Sequence, residues 1–526
     1  MKIEKTKNAR RGIVTGMGLK AVQMVLPFLM RTAMIHYMGE QYLGLNSLFY
    51  SILHILNLAE LGVGNAMVFS MYKPIAEDDE PKICALMRLY RTYYRLIGLV
   101  IGVIGVALTP AIPKLISGEV PAELNVYVLY LMNLGATVLT YWLFAYRNCL
   151  VQAHQKTSVT SWVSVVTTTL QYGIQLAVMI FCKNYYIHVM TALLCQAINN
   201  VVTAYITTKM YPQYKPVGKL SREETKGING RIRDLFTGKI GTVILNSADS
   251  VVISAFMGLI ALTIFQNYFF ILTSVIAILE IILQSIMAGV GNSLVVESRE
   301  KNYRDLEKFS FLFLWLIGIC TCCFLGLYQP FMEFWMGKER MVSYGVVICF
   351  AIYFFVYCFN RLLNIYKDAA GLWHADRFRP LVKAIINLGL NLWWVQMWGF
   401  YGVLLSTVFA IAVVGMPWLL RNLFTLYFEK KQLKAYLKQI GLLVFLTILA
   451  GAVVVVGCHY IRFPFIPGKW GLLVTMFVRA VVCVAVPNMI FMTALWRMDA
   501  FRPSVQLLDR LTKNKLKLEK KLFRKN

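Results

Sequence analysis

The sequence predicts an all-α polytopic membrane protein of about 14 transmembrane helices: two pseudo-symmetric six-helix lobes plus a C-terminal helix pair. Three observations carry this. Of 526 residues, 58% are hydrophobic and 15% charged, with mean hydropathy +0.61, the balance of a membrane bundle rather than of a soluble domain. Apolar runs of about 20 residues, enough to span a ~30 Å hydrocarbon core, recur along the chain. The basic residues lie to one side. With both termini inside, 44 of the 53 Lys and Arg fall in inner segments and six in outer loops, while Lys20, Arg31 and Arg479 remain within spans. That is the positive-inside bias of a cytoplasmic-membrane protein. The net charge of +27 is therefore a topology signal and not a nucleic-acid footprint.

The first run, 13–36, holds Lys20 and Arg31. Eleven residues at about 100° each bring both onto one stripe, about 16 Å apart along the axis. Pro27 between them removes a backbone hydrogen bond. The second run, 43–70, contains Glu60 and the glycines Gly62 and Gly64 of "ELGVGN", and is long enough to tilt. Runs at 93–112, 124–146, 158–182 and 185–207 complete a first lobe, 1–208. The polar stretch 209–234, with its Pro, Gly and charges, reads as a cytoplasmic linker.

The second lobe, 235–425, takes runs 240–257, 261–290, 309–331, 342–360, 380–398 and 401–420. Lys239, Asn246 and Asp249 mark its first run, and Glu280 with Gly289 and Gly291 of "AGVGN" its second. Runs 439–459 and 471–493 form an added pair within 426–495, followed by the basic tail 496–526. The tail reads as an interfacial helix whose incomplete apolar stripe is Leu508, Leu511, Leu518 and Leu522, drawn to anionic lipid. A basic start that leads straight into a long span, without a small-residue cleavage site, argues against a cleaved signal peptide.

The two lobes repeat. At an offset of 219, Lys20 falls on Lys239, "MG" at 38–39 on "MG" at 257–258, and Gly118 on Gly337. Glu60 approaches Glu280, whereas Arg31 falls on Ser250. Six spans per copy insert with one orientation, giving a parallel repeat about an axis along the membrane normal.

Charges inside spans are costly and mark functional sites or pairs. Lys20, Arg31 and Lys239 form a candidate cationic lining for a lipid diphosphate, with Arg as a bidentate fork and Lys as a point charge. Glu60, Asp249 and Glu280 are candidates for ion coupling or for pairing with those cations. Two bland readings stand beside this: Lys20–Glu60 and Lys239–Glu280 pairs that only hold the bundle, and an Arg31 that snorkels outward. Pro27, Gly62, Gly64, Gly289 and Gly291 are candidate hinges, or close-packing positions. Arg147, Arg361 and Lys383 at inner span ends read as interfacial anchors.

Enzymatic signals are weak. The six His are scattered without metal-ligand spacing, and there is no P-loop. "AEDDEP" at 76–81 reads as a solvated loop, and Cys320, Cys322 and Cys323 of "CTCC" as packing residues. No metal and no cofactor is expected. The short outer loops argue against a membrane glycan polymerase or ligase.

"YLGLNSLFYSILHILNLAELGVGNAMVFSMYKPIAEDDEPK" (42–82) and "YRNCLVQAHQK" (146–156) resemble the second-helix region and the end of the fourth helix in oligosaccharide flippases of the polysaccharide-export (Wzx) type. These belong to the MOP (MATE-like) superfamily, with multidrug extruders and the lipid II flippase. The resemblance implies a V of two six-helix lobes with a central cationic cavity, and no enzyme. The implied activity is turning a polyprenyl-diphosphate-linked oligosaccharide to the outer leaflet. Membrane lipids and the glycan polymerase and glycosyltransferases of the same pathway are the implied partners. By similarity with the lipid II flippase, a groove by the last two helices would hold the lipid tail, with Arg479 near it. A lipid II flippase and a multidrug exporter are the neighbouring alternatives.

Overall fold

Helix starts are set by short polar side chains that satisfy the open N–H groups of a first turn. Asp79 accepts from the Lys82 amide ahead of Pro81, Asn125 from Tyr127 and Val128, Asn184 from Tyr186 and Ile187, and Ser298 from Lys301. Glu429 and Gln432 close a capping box on the helix Lys430–Tyr460. These caps sit in short turns between long apolar helices.

The computed structural model describes residues 22–60, 62–461, 468–496 and 501–511. Among the described residues, helical segments fall within each run expected from hydropathy, in the first run from residue 22 onward. Among the described residues, nine helices are long and apolar enough to cross a membrane, or ten if a bent pair is counted as one span. No strand occurs among them. The chain is an all-α polytopic membrane protein. Large apolar side chains such as Val103, Ile448 and Phe477 stand exposed on its helices, as lipid-facing residues do.

Several elements differ from the expected spans. The second run is not one helix: Glu40–Leu56 ends in a 3-10 turn, Asn57–Glu60, and the helix Val63–Ala76 starts after Gly62 at φ 93°. The fourth bends by 46° between Val126–Trp142 and Ala145–Ala153, with Phe144 at φ 59°. The linker is half helical. Ser221 and Glu224 bond reciprocally through side chain and amide, and the helix Arg222–Val296 begins there and runs to a break at Gly258. Its start is fastened to the helix Glu80–Leu108 by Lys82–Glu224 at 2.6 Å and by Tyr93 donating to Asn229 at 2.6 Å. The bond from Lys82 holds the exposed Glu224 carboxyl below its usual range. The ninth helix, Arg299–Met336, has 38 residues, about 57 Å at 1.5 Å per residue, and extends well past a ~30 Å core.

The packing divides the chain into two compact units, Met1–Gln266 and Asn267–Asn526. The first is built around Leu45, Leu48, Phe49, Met67, Met87, Tyr130 and Leu150. In it Gly44 meets the carbonyl of Leu259, where an added Cβ would lie 2.4 Å from the oxygen. The second is built around Phe311, Leu314, Ile317, Phe350, Phe354 and Leu419. There the helix pair Lys430–Tyr460 and Lys469–Leu495 packs on Arg299–Met336 through a dry cluster of Cys322, Ala450, Val454, Cys458 and Cys483. The tail starts as a helix, Phe501–Leu511, whose buried Phe501 rests on Phe311 and Trp315. Leu518 and Leu522 lie outside the described residues.

The repeat is visible in the backbone. Gly39 and Gly258, related by the offset of 219, have φ of 121° and 89°, and Gly118 and Gly337 both have 86°. Each pair ends one helix and starts the next segment in a conformation that side chains with a Cβ resist.

Gly62 combines such a φ with crowding, since a Cβ there would stand 2.7 Å from that of Leu235. Gly62→Ala is expected to cost about 1–3 kcal/mol and to lower the melting temperature of the detergent-solubilised protein. Gly291→Ala, with open space around it, is expected to leave that temperature unchanged or raise it.

Candidate functional site

The 3-10 turn Asn57–Glu60 takes Glu60 out of a regular helix and delivers its carboxylate to two tyrosines, with a third behind them. Tyr94 donates to Oε1 at 2.6 Å and Tyr141 to Oε2 at 3.1 Å, while Tyr90 donates to the Tyr94 hydroxyl at 2.6 Å. All three rings are buried. Gly64 keeps the space open, because a Cβ there would come within 3.2 Å of the Tyr90 hydroxyl.

Beyond this relay lies a cavity of about 370 Å³ lined by Glu60, Asn65, Thr140, Asn148, Gln152, Gln196, Asn199 and Asn200. The bend of the fourth helix sets Asn148 and Gln152 into its wall. Asn200 is fixed by donating to the carbonyl of Thr140 at 3.1 Å, and the oxygen of Asn199 accepts from Thr167 at 3.0 Å. One carboxylate among amide and hydroxyl oxygens makes a site suited to a small cation or a proton carried on water. Broken helices at membrane depth occur where they line such a cavity. Sequence reasoning weighed charged residues and passed over these polar ones. Their signal was helical spacing: Tyr90 and Tyr94, Asn148 and Gln152, and Gln196 and Asn200 each stand four apart.

The other predicted residues are placed as follows. Lys20 lies outside the described residues. Arg31 is half-buried in the helix 22–37, close enough to Tyr172 for charge and phenol to interact, and Pro27 sits inside that uninterrupted helix. Lys239 is half-buried on the helix that begins at Arg222. Asp249 is buried on the same helix, near Ser247, whose hydroxyl is 2.9 Å from Nδ1 of His54. Gly289 and Gly291 fall within a helix whose one non-helical residue is Gly258.

In the second unit, Glu280 is ion-paired with Arg361 at 2.9 Å, so Arg361 does more than anchor an interface. Lys383 is enclosed by protein. Arg379, Lys383 and Asn387, four residues apart on one helix face, are all buried. Arg379 grips Asp376 through Nε and a terminal nitrogen at 2.6 and 2.7 Å and also donates to Asn364. Arg479 donates to the carbonyls of Ile461 and Gly326 and lines a cavity of about 1130 Å³.

No family model and no curated protein matches the chain. Solved structures do. The lipid II flippase MurJ in an inward closed conformation matches with TM-score 0.66 at 14% identity, over 92% of this chain and 99% of MurJ. The fold is that of the MOP-superfamily transporters. An inward-facing multidrug resistance MATE transporter matches with TM-score 0.59 at 15% identity, over 81% of this chain and 99% of its own. A MOP-superfamily transporter from Pyrococcus furiosus, described by a binding pocket of reverse polarity, matches with TM-score 0.51 at 14% identity, over 82% and 96%.

Tyr94→Phe removes the acceptor of Tyr90 and one donor to Glu60 within a buried cluster. It is expected to destabilise the protein by about 1–3 kcal/mol, read as a lowered melting temperature. Tyr93→Phe, which gives up only an exposed bond to Asn229, is expected to shift it much less.

Proposed function

We propose that this chain is a flippase that carries polyprenyl-diphosphate-linked oligosaccharides from the inner to the outer leaflet of the cytoplasmic membrane for cell-surface polysaccharide biosynthesis. The observation that carries the reading is the reach of the match. MurJ is covered almost completely and takes in 92% of this chain. The MATE transporter is covered as completely yet takes in only 81%. The unmatched share is large enough to hold the helix pair 426–495. A lipid flippase accounts for that pair better than a multidrug exporter does. The intramembrane cations favour an anionic headgroup over a cationic drug.

In this mechanism two six-helix lobes, 1–208 and 235–425, rock while Lys20, Arg31 and Lys239 hold the diphosphate. Arg31 supplies a fork to phosphate oxygens and the lysines supply point charges. The sugars cross in water and the prenyl chain stays in lipid. Glu60, in its tyrosine-bounded polar cavity, takes the coupling cation or proton, and binding there biases one arrangement of its lobe over another. Asp249 serves charge balance on its helix, and the Glu280–Arg361 pair balances charge between two neighbouring helices.

The test is flipping of a fluorescent polyprenyl-diphosphate oligosaccharide in proteoliposomes. Lys20→Ala, Arg31→Ala and Lys239→Ala are each expected to slow it at least tenfold, with the melting temperature kept. Glu60→Gln is expected to remove the dependence on an imposed ion gradient. Wild-type rates in all three cation variants would contradict the diphosphate assignment. Absence of wild-type flipping, with export of cationic drugs instead, would replace the flippase by the exporter.

A further inference from the structure

Cys322, Cys458 and Cys483 meet at one point of the second unit, and the mechanism above uses none of them. Cys458 lies near the C-terminal end of Lys430–Tyr460, and Cys483 near the middle of Lys469–Leu495. Both thiols are free, and their sulfurs are 4.0 Å apart. The third helix, Arg299–Met336, is thinned where it meets them. At Gly326 an added Cβ would lie 2.3 Å from the Cys483 sulfur and 3.0 Å from that of Cys458. A side chain there would push the sulfurs out of place. Cys322 and Cys323 approach from the same helix, but the contact between sulfurs is made by Cys458 and Cys483.

The two thiols differ in access. Cys458 lines the cavity of about 1130 Å³, beside Leu325, Tyr344, Val455 and Leu472. Cys483 does not line it and is 0% exposed. A reagent in the cavity therefore meets Cys458 first, with Cys483 directly behind. The cavity lies at the top of the ~300–1,000 Å³ range of ligand sites, so a small molecule has room to enter. With the orientation that the Lys and Arg bias predicts, it lies on the outer side, where disulfides persist.

We propose that Cys458 and Cys483 form a dithiol oxidation site that takes small disulfides from the cavity and joins the last two helices. In the first step the Cys458 thiol gives up its proton and attacks one sulfur of a disulfide RSSR. A bond from Cys458 to SR forms, the S–S bond of the reagent breaks, and the leaving thiolate departs with a proton as RSH. In the second step the Cys483 thiol gives up its proton and attacks the Cys458 sulfur. The Cys458–Cys483 bond forms and a second RSH leaves. Two protein thiols are oxidised and one external disulfide is reduced. Closure needs the sulfurs to approach by about 2 Å, and their contact makes the second step intramolecular and fast. The bridge closes the loop from 458 to 483 and fixes the spacing of two cavity walls. The site is independent of which lipid or solute the chain carries.

The test uses the full chain in lipid nanodiscs, with oxidised glutathione as the disulfide and mass mapping of unreduced peptides. In the wild type, the peptides of Cys458 and Cys483 are expected joined, two hydrogens lighter than their reduced sum, and separated again by a reductant. Cys483→Ala is expected to trap glutathione on Cys458. Cys458→Ala is expected to leave Cys483 modified roughly tenfold less than that. The exposed Cys182 reports that the reagent has acted. The bridged wild type is expected to melt higher than the Cys458→Ala, Cys483→Ala double variant treated alike. Modified Cys182 without a 458–483 bridge in the wild type overturns the site. A bridge from Cys458 to Cys322 or Cys323 overturns the pairing. Equal modification of Cys483 in Cys458→Ala overturns the order of attack.

Discussion

Placing a charge or an unpaired polar group in hydrocarbon costs a few kcal/mol at the least, and much of this structure answers that cost. Glu60 is received by the hydroxyls of Tyr94 and Tyr141. Glu280 is neutralised by Arg361, Asp376 by Arg379, and Arg479 is turned onto two backbone carbonyls. The apolar helices supply the length to span the bilayer. The polar partners decide where the helices bend, which neighbours they choose and where water is admitted.

The first unit shows how this constraint becomes a site. A helix running unbroken from Glu40 to Ala76 would hold Glu60 in regular helix. The turn at Asn57–Glu60 and the left-handed Gly62 instead direct its carboxylate toward the tyrosines. The bend of the fourth helix brings Asn148 and Gln152 to the same cavity. Two local losses of helical hydrogen bonding are thus spent at one place, and the oxygens gathered there could not persist in lipid without each other or water. In the second unit the same logic appears as a buried stripe, with Arg379 and Lys383 beside Gly415 and Asn387 donating to Ser406 and Thr407.

The positions of the helices were legible because hydrocarbon thickness imposes a run length that composition records directly. The repeat was legible at its glycines, Gly39 with Gly258 and Gly118 with Gly337, because a left-handed backbone leaves few other choices. The break in the second span was not. Leu58, Ala59 and Leu61 keep the window apolar around Asn57 and Glu60, and only "GVG" hinted at weakness. The helix within the linker did have a signal, the Ser221–Glu224 box, which the charges and prolines around it masked. Glu280 with Arg361 could not be paired from sequence, since 81 positions separate them and topology alone brings them together. The tyrosines around Glu60 were missed for a different reason: a phenol counts as apolar in hydropathy, yet it is the hydroxyl that matters here.

The central claim is that an anionic, sugar-bearing lipid is what this chain was built to hold. Native mass spectrometry of the full chain, extracted from its own cells with surrounding lipid in styrene–maleic acid particles, tests this most directly. The account predicts a retained polyprenyl diphosphate glycan on the wild type, and its depletion when Arg31 and Lys239 are replaced by Ala. Retention of bulk phospholipid alone, unchanged by those substitutions, would contradict it.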